Sequence, residues 1–338
     1  MVSQTEVRAS TAALTASTTP RVAVFVGATD GIGKSTLQQL VSRGFPIKAY
    51  IVGRNEVAFR PVLDELRCLN KSADFVFLQG QVSPLSNTRR IADEIVSRER
   101  SIDLLFLSAG FLPFRGHEET SEGLELAFAV AYYSRQIFIR RLLPLLRVAV
   151  DTAACSYEPR VVNVLGTGVE TKDLFLNDLD LQQPGRLNIS NFTGHIATRT
   201  SIALKRLAER PENRGVVIIH SHPGLVSTNI FNKSWGDQWA EDGSKAPKFS
   251  HLVHTTPREA GERSLYAITS AKYGGNGVPL QQGQEQGLTV KRTLNGSLFC
   301  VGDSLDTLEL GELLSSLENS GAGDVIWNKT EEIIGEYV

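Results

Sequence analysis

The sequence predicts an α/β protein whose parallel sheet is covered by helices on both faces. Three observations carry this reading. Short apolar runs rich in Val, Ile, Leu and Phe recur along the chain, as buried parallel strands require. Between them stand segments of about ten or more residues with apolar side chains at helical spacing. The first strand–helix junction, VGATDGIGKST from Val26, is glycine-rich where a doubly wound sheet opens its crevice.

Taken in order, RVAVFVGA from Arg21 is the first strand, a continuous apolar run ending in glycine. STLQQLVSRG follows as a helix that stops at Gly44, placed to cap it. IKAYIVGR is the second strand, VLDELRCLN a helix, DFVFLQGQV the third strand and TRRIADEIVSRE the third helix. IDLLFLSAG is the fourth strand. The stretch from Glu122 to Ala149 reads as one helix broken near Pro144, because proline lacks an amide hydrogen and its ring crowds the preceding turn. RVVNVLGTG is the fifth strand, GHIATRTSIALKRLAE another helix and GVVIIHSHPG the sixth strand. Such alternation builds βαβ units, hence a Rossmann-like doubly wound parallel sheet. Gly274 to Gly287, rich in Gly and Gln without periodicity, reads as a loop. TLELGELLSSLENSG and DVIWNKTEEIIGEY read as two closing helices beyond the core sheet. The expected organisation is a 21–275 dinucleotide-binding and catalytic domain with a C-terminal helical extension, 276–338, packed on it.

Bulk properties narrow the function. With 41% hydrophobic and 21% charged residues and a net charge of −2, the 338-residue chain has the make-up of a soluble globular protein and no electrostatic case for nucleic acid. Cys68, Cys155 and Cys300 form neither a disulfide framework nor a zinc pattern, which points to a reducing compartment, the cytoplasm. No apolar run reaches the roughly 18 residues of a membrane span. Residues 1–20, dominated by Ser, Thr and Ala, are expected to form a flexible tail, because they offer little apolar surface to bury. They also make a poor basic amphipathic helix, against a transit peptide.

The tail of VGATDGIGKST fits a Walker A loop through Gly33-Lys34-Ser35, but that pattern needs its first glycine where Ala28 stands. Strands three to six also lack a terminal magnesium-binding aspartate. Gly27, Gly31 and Gly33 instead follow G-x-x-x-G-x-G, which lets the backbone turn tightly and approach a pyrophosphate facing the amides of the next helix. A dinucleotide is the expected ligand.

With LSAG (Leu107 to Gly110) and HPGLVST (His222 to Thr228), this spacing resembles the short-chain dehydrogenase/reductase family over roughly residues 21 to 270. LSAG is similar to that family's N-N-A-G turn and HPGLVST to its P-G-x-V-x-T segment. The resemblance implies cofactor contacts at Gly27, Gly31, Ile32, Gly33, Ala109, Gly110, Pro223, Gly224, Val226 and Thr228. EGLELAFAVAYYSRQIFIRRLLPLL and NDLDL…GHIATRTSIALKRLAE further resemble a fungal branch of the family associated with secondary metabolism.

Cofactor preference has a physical basis. NAD enzymes usually place a carboxylate at the end of the second strand, where it would repel a 2′-phosphate. Here the strand ends VGRN, with Gly53 at that position and Arg54 following, able to pair with a phosphate in bidentate fashion. The expected cofactor is NADP(H).

The family's chemistry uses Asn, Ser, and a Tyr four residues before a Lys, and this chain departs at each. The serine position falls on Gly166, with Thr167 next, and the asparagine position on Ala131. Counting back from Pro223 sets the Tyr and Lys positions at Thr193 and Ala197, or, with the loop two residues shorter, at His195 and Arg199. The second register makes chemical sense, because histidine donates a proton near neutral pH and arginine keeps the positive charge, although it is too basic to shuttle protons. The catalytic candidates are therefore His195, Arg199 and Thr167. The alternatives are a helix-start histidine and a post-strand threonine each bonded to local backbone.

Tyr132 and Tyr133 read as packing residues with a polar tip. His220, His222, His251 and His254 stand at H-x-H and H-x-x-H spacings without a carboxylate signature, and no metal is expected. RQIFIRRLLPLLR is basic and amphipathic, the solvated face of a sheet-covering helix rather than a membrane-binding segment. The loop 229–256, with Trp235 and Trp239, is expected over the crevice as a substrate lid, or else as core packing or a dimer contact.

The expected function is an NADP(H)-dependent oxidoreductase that interconverts a ketone and an alcohol on a small-molecule substrate, a secondary metabolite such as a polyketide or terpenoid. A non-redox cyclase or isomerase and a cofactor-binding pseudoenzyme are the alternatives, because all four family residues are missing. The resemblance also implies a homodimer built on the long helix and GHIATRTSIALKRLAE, unless the extension covers them.

Overall fold

The computed structural model describes residues 1–151, 157–235 and 255–338. Seven strands form one sheet: β1 (Val22–Val26), β2 (Ile47–Gly53), β3 (Ala73–Gln79), β4 (Leu104–Leu107), β5 (Arg160–Val164), β6 (Val217–Ser221) and β7 (Phe299–Val301). They lie in the order β3-β2-β1-β4-β5-β6-β7, and every neighbouring pair is parallel. Strand order reverses between β1 and β4, which opens a crevice at the carboxyl ends of these two strands.

The helices are α1 (Gln4–Ala12), α2 (Gly31–Val41), α3 (Glu56–Leu69), α4 (Leu85–Arg98), α5 (Leu126–Phe128), α6 (Ser134–Asp151), α7 (Ile189–Ala208), α8 (Ile230–Trp235), α9 (Pro257–Thr269), α10 (Gly311–Asn319) and α11 (Ala322–Ile334). Because strand side chains alternate faces, Val24 and Val26 point into a core shared with α4, α6, α7, α10 and α11. Ala23 and Phe25 point into the other, shared with α2, α3 and α9. Both faces are apolar, so the strands read as continuous hydrophobic runs.

Four details differ from the sequence reading. The expected flexible tail contains α1, started by a capping box between Ser3 and Glu6 and anchored by Gln4 and Arg8 on Glu262 of α9. Its Ala, Ser and Thr side chains let it approach closely, with Val7 fully buried. The long helix starts at Leu126 and runs through Pro144 without a break; its irregularity is a π-helical turn, Ala129–Tyr133, between α5 and α6. Leu142, Leu143, Leu145 and Leu146 are all buried around Pro144, so packing overrides the missing amide. The extension also supplies β7 to the sheet, a three-residue FCV run too short to show a period.

Finally, α10 and α11 pack on α7, and α11 also reaches the π turn, where the Tyr132 hydroxyl lies 2.8 Å from that of Thr330. Arg206 binds Glu318 and Asp324, and the Trp327 ring faces Arg140, Arg206 and Arg210. The chain's own extension thus covers part of the surface that the resemblance assigns to a second copy.

A Val7→Ala substitution is expected to lower unfolding stability by about 1.5 kcal/mol, from two buried carbons at about 0.8 kcal/mol each. Urea midpoints of the two proteins measure this, and equal midpoints would mean that α1 does not dock.

Candidate functional site

The crevice is built where the β1–α2 turn meets the end of β4. The Val26 carbonyl accepts hydrogen bonds from the Ser108 and Ala109 amides at 2.8 and 3.0 Å, which draws the two turns together backbone to backbone. Gly27 has φ +96°, and a side chain there would collide with the Ala109 amide. Gly31 has φ +56° and opens α2, capped by the Asp30 carboxylate, which accepts from its amide at 2.8 Å. Gly33 faces the Ser108 hydroxyl with no room for a Cβ.

Around this junction lies a half-open cleft of about 400 Å³. Its floor is Gly27, Gly31, Ile32 and Gly33, with Ala109 and Gly110 beyond; Gly53 and Arg54 stand at the β2 end, and Thr228 on the roof. A side chain at Gly53 would stand 2.5 Å from the Thr29 methyl and 2.7 Å from the Phe77 ring, so a larger residue there would require both side chains to shift. Arg54, next to it, is exposed and lines the cleft. Of the other predicted contacts, Pro223, Gly224 and Val226 follow β6 but do not line this cleft. Val226 is buried and forms an isolated parallel bridge with Thr255.

Several lining residues escape the sequence reading. Gly80 to Ser83, at the end of β3, border the same side as Arg54. Their signal was topological: in a doubly wound sheet, β3 ends one strand beyond β2. Asp30, Arg115, Asn229 and Lys233 also line the cleft, with Lys233 Nζ 2.6 Å from Asp30 Oδ2. Spacing gave no sign that Lys233, on α8, would return to the first turn.

Arg135, two residues past the π turn, is a further residue the sequence did not single out. Its fully buried guanidinium donates to Asn163 Oδ1 at 2.7 Å and to the Val164 and Ala109 carbonyls at 2.8 and 2.5 Å. These bonds join the ends of β4 and β5 behind the cleft. Burial pushes its pKa down to about 9, so it is still charged at neutral pH.

The three catalytic candidates sit in buried hydrogen-bond networks, and none of them lines the cleft. His195 Nε2 accepts from the Phe175 amide at 3.2 Å, and Nδ1 faces the Leu179 carbonyl at 3.4 Å. Its ring stacks on Phe175. Burial, followed by the charge of Arg199, pushes its pKa down to about 4, so it is neutral at physiological pH. Arg199 donates to Asp180 Oδ1 at 2.8 Å, to Tyr133 Oη at 2.7 Å and to the Leu179 carbonyl at 2.9 Å. The rings of Phe128, Tyr132 and Tyr133 surround it. The structure thus brings His195 and Arg199 together on α7, both touching the Leu179 carbonyl.

Thr167 belongs to a separate cluster. It donates to Glu170 Oε1 at 2.7 Å, as does Ser201, whose Oγ is 2.8 Å from His220 Nδ1. The Ser201 hydroxyl has one hydrogen and gives it to the carboxylate, so His220 Nδ1 carries the proton that faces Ser201. Nε2 is then free to accept from the Gly166 amide at 3.4 Å. Burial, above all, pushes the His220 pKa down to about 3. His222 is half-buried, and its pKa is also lowered by burial. His251, His254, Cys155 and Trp239 lie outside the described residues, and among the described ones no cluster of His, Cys, Asp or Glu is arranged to hold a metal ion.

Sheet order, glycine turn and cleft together define a Rossmann-type protein. Comparison with known proteins makes this specific. The family model for short chain dehydrogenases matches residues 21–147. An oxidoreductase of Emericella nidulans is 33% identical over 353 aligned positions, covering 100% of this chain and 99% of that protein. An oxidoreductase of Aspergillus flavus is 38% identical over 68% of this chain and 64% of its own length. The crystal structure of NADPH-bound carbonyl reductase from chicken fatty liver superposes with a TM-score of 0.54 at 16% identity, covering 86% of this chain and 99% of that one, a likeness of fold. The chain belongs to the short-chain dehydrogenase/reductase family and is an enzyme of the oxidoreductase type.

Since the folded pKa values of His195 and His220 lie below the ordinary value of about 6.5, the unfolded chain binds more protons in acid. The stability these neutral rings contribute is whole above about pH 6.5 and is lost as the pH falls toward their folded values. Denaturation midpoints should therefore decline between about pH 6.5 and 4. His195→Gln should make that decline shallower, and an unchanged slope would mean that His195 is not held neutral.

Proposed function

We propose that the protein is an NADP(H)-dependent oxidoreductase that interconverts a ketone and an alcohol on a secondary metabolite such as a polyketide or terpenoid. One observation carries the cofactor choice: Arg54 lines the cleft beside Gly53, which leaves the end of β2 without a carboxylate. The fold alone does not decide it, since structural neighbours include both an NADPH-bound reductase and an NADH-dependent one.

The donor set of the cleft suits such a cofactor. The amides of Gly31, Ile32 and Gly33 would meet the diphosphate with Thr228 above them, Arg54 the 2′-phosphate, and Gln81 and Val82 the adenosine side. Ala109 and Gly110 would border the nicotinamide side, and Pro223, Gly224 and Val226 would act from outside the lining, as the segment that leads from β6 to Thr228. Bound there, the cofactor supplies or accepts a hydride. Arg135 holds the ends of β4 and β5 in register behind it.

A positioned acid contributes about 10²- to 10⁴-fold, and among the described residues the titratable side chains lining the cleft are Asp30, Arg54, Arg115 and Lys233. In this reading His195, Arg199 and Thr167 act indirectly, by holding together the wall of α7 and the loop before it, which stands outside the cleft lining. The C-terminal extension belongs to the same domain and backs that wall. Among the described residues the lining holds no histidine or tyrosine, which also favours a second reading, a cyclase or isomerase that leaves the cofactor unconsumed.

Calorimetric titration is expected to give NADPH at least about tenfold tighter than NADH, with Arg54→Ala removing most of the difference, as a lost charge-assisted phosphate contact would. Equal affinity for both nucleotides in the native protein would overturn the assignment. Substrate conversion without a change in nicotinamide absorbance would select the second reading.

A further inference from the structure

The roof of the cleft carries an ion pair that the cofactor reading leaves unexplained. Asp30 is the N-cap of α2, and its carboxylate gathers three donors at the mouth: the Gly31 amide on Oδ1 at 2.8 Å, and Lys233 Nζ at 2.6 Å and Asn229 Nδ2 at 3.3 Å on Oδ2. Lys233 and Asn229 come from α8 and the residue before it, 203 and 199 positions away in sequence. The same stretch is fixed to the cleft rim twice more. The Thr228 methyl lies against Gly31, and the buried Ser234 hydroxyl accepts from the Leu112 amide at 3.0 Å.

An ammonium, a carboxamide and a helix-start amide converging on one point are the donors an anionic diphosphate needs, and here a side-chain carboxylate holds them. Asp30 and a diphosphate cannot both keep them: each is anionic, and side by side at the mouth they repel. The lysine and asparagine lie partly in solvent on flexible stems, so they can change partner without rearranging the fold. Asp30 is itself held below the ordinary carboxylate range, because hydrogen bonds from Lys233 and Gly31 outweigh the opposing effect of burial.

We propose that Lys233 and Asn229 are diphosphate-binding residues of the roof, and that Asp30 is a placeholder anion which yields them to the incoming cofactor. The inference rests on the dinucleotide reading of the cleft. It makes α8 the element that senses occupancy: held on a side chain in one state, on the cofactor in the other.

The signs of two substitutions separate this from an ordinary structural ion pair. NADPH binding is measured by isothermal titration calorimetry on the full chain. Lys233→Ala should raise Kd about tenfold or more and flatten its dependence on salt. Asp30→Asn keeps an N-cap of equal quality but removes the competing charge, and should lower Kd by about threefold to tenfold. Asp30→Asn should improve binding less in the Lys233→Ala background than in the native one, because the lysine is no longer there to be released and chiefly the repulsion between the two anions is relieved. Melting temperatures of the free proteins monitor the fold. If both single variants weaken binding alike, or neither changes it, the placeholder role is overturned. If the native protein binds neither NADPH nor NADH, the cofactor reading itself falls, an outcome distinct from either of these.

Discussion

The site depends on backbone meeting backbone. The carbonyl of Val26 takes both amides that follow β4, and the turns can come that close because position 27 carries no side chain and position 33 has space for none. Everything along the cleft inherits its position from this contact: the start of α2, the glycine–arginine step at the end of β2, and Thr228 lying over Gly31. A methyl group at Gly27 would push apart the first and fourth strands' turns and, with them, the two halves of the doubly wound sheet.

Much of this was legible because it is written in local periods. Continuous apolar runs alternating with helical spacing gave the sheet, and three glycines on one turn gave the crevice, because each signal lies within a dozen residues. What was hidden depends on distant partners. The α1 helix has almost no apolar signature, since Val7 alone enters the core while Ala, Ser and Thr act by being small. Pro144 suggested a break that four buried leucines suppress. β7 is three residues long and exists only because β6 offers it a ladder. In the cleft, Arg54 could be found from its place after a strand and Gln81 from the topology of the sheet, whereas Lys233 could not, since its proximity to the first turn is a property of the closed fold.

The helix α7 shows how polar groups can line a sheet-covering element without facing solvent. His195, Arg199 and Ser201 are all buried, and each is satisfied by a partner from the loop before the helix: Phe175, Asp180 and Glu170. Arg199 has a carboxylate, a phenol and three aromatic faces around one guanidinium, so its charge is countered within the buried site. Arg135 is the contrast, a buried guanidinium whose bonds all go to neutral oxygens at the ends of two strands. It gives the carboxyl edge of the sheet a fixed positive charge close to the cleft.

The shared contacts of Arg199 bear on attempts to graft the family's usual chemistry onto this scaffold. Installing tyrosine at 195 and lysine at 199 would remove the planar fork that reaches Asp180, the Leu179 carbonyl and the Tyr133 phenol together, and put a compact ammonium in its place. The loop that now rests on the helix would have to be redrawn along with the two residues. Reverting this protein toward its relatives is therefore a problem of remodelling a whole wall, and a swap of side chains on one helix face would not achieve it.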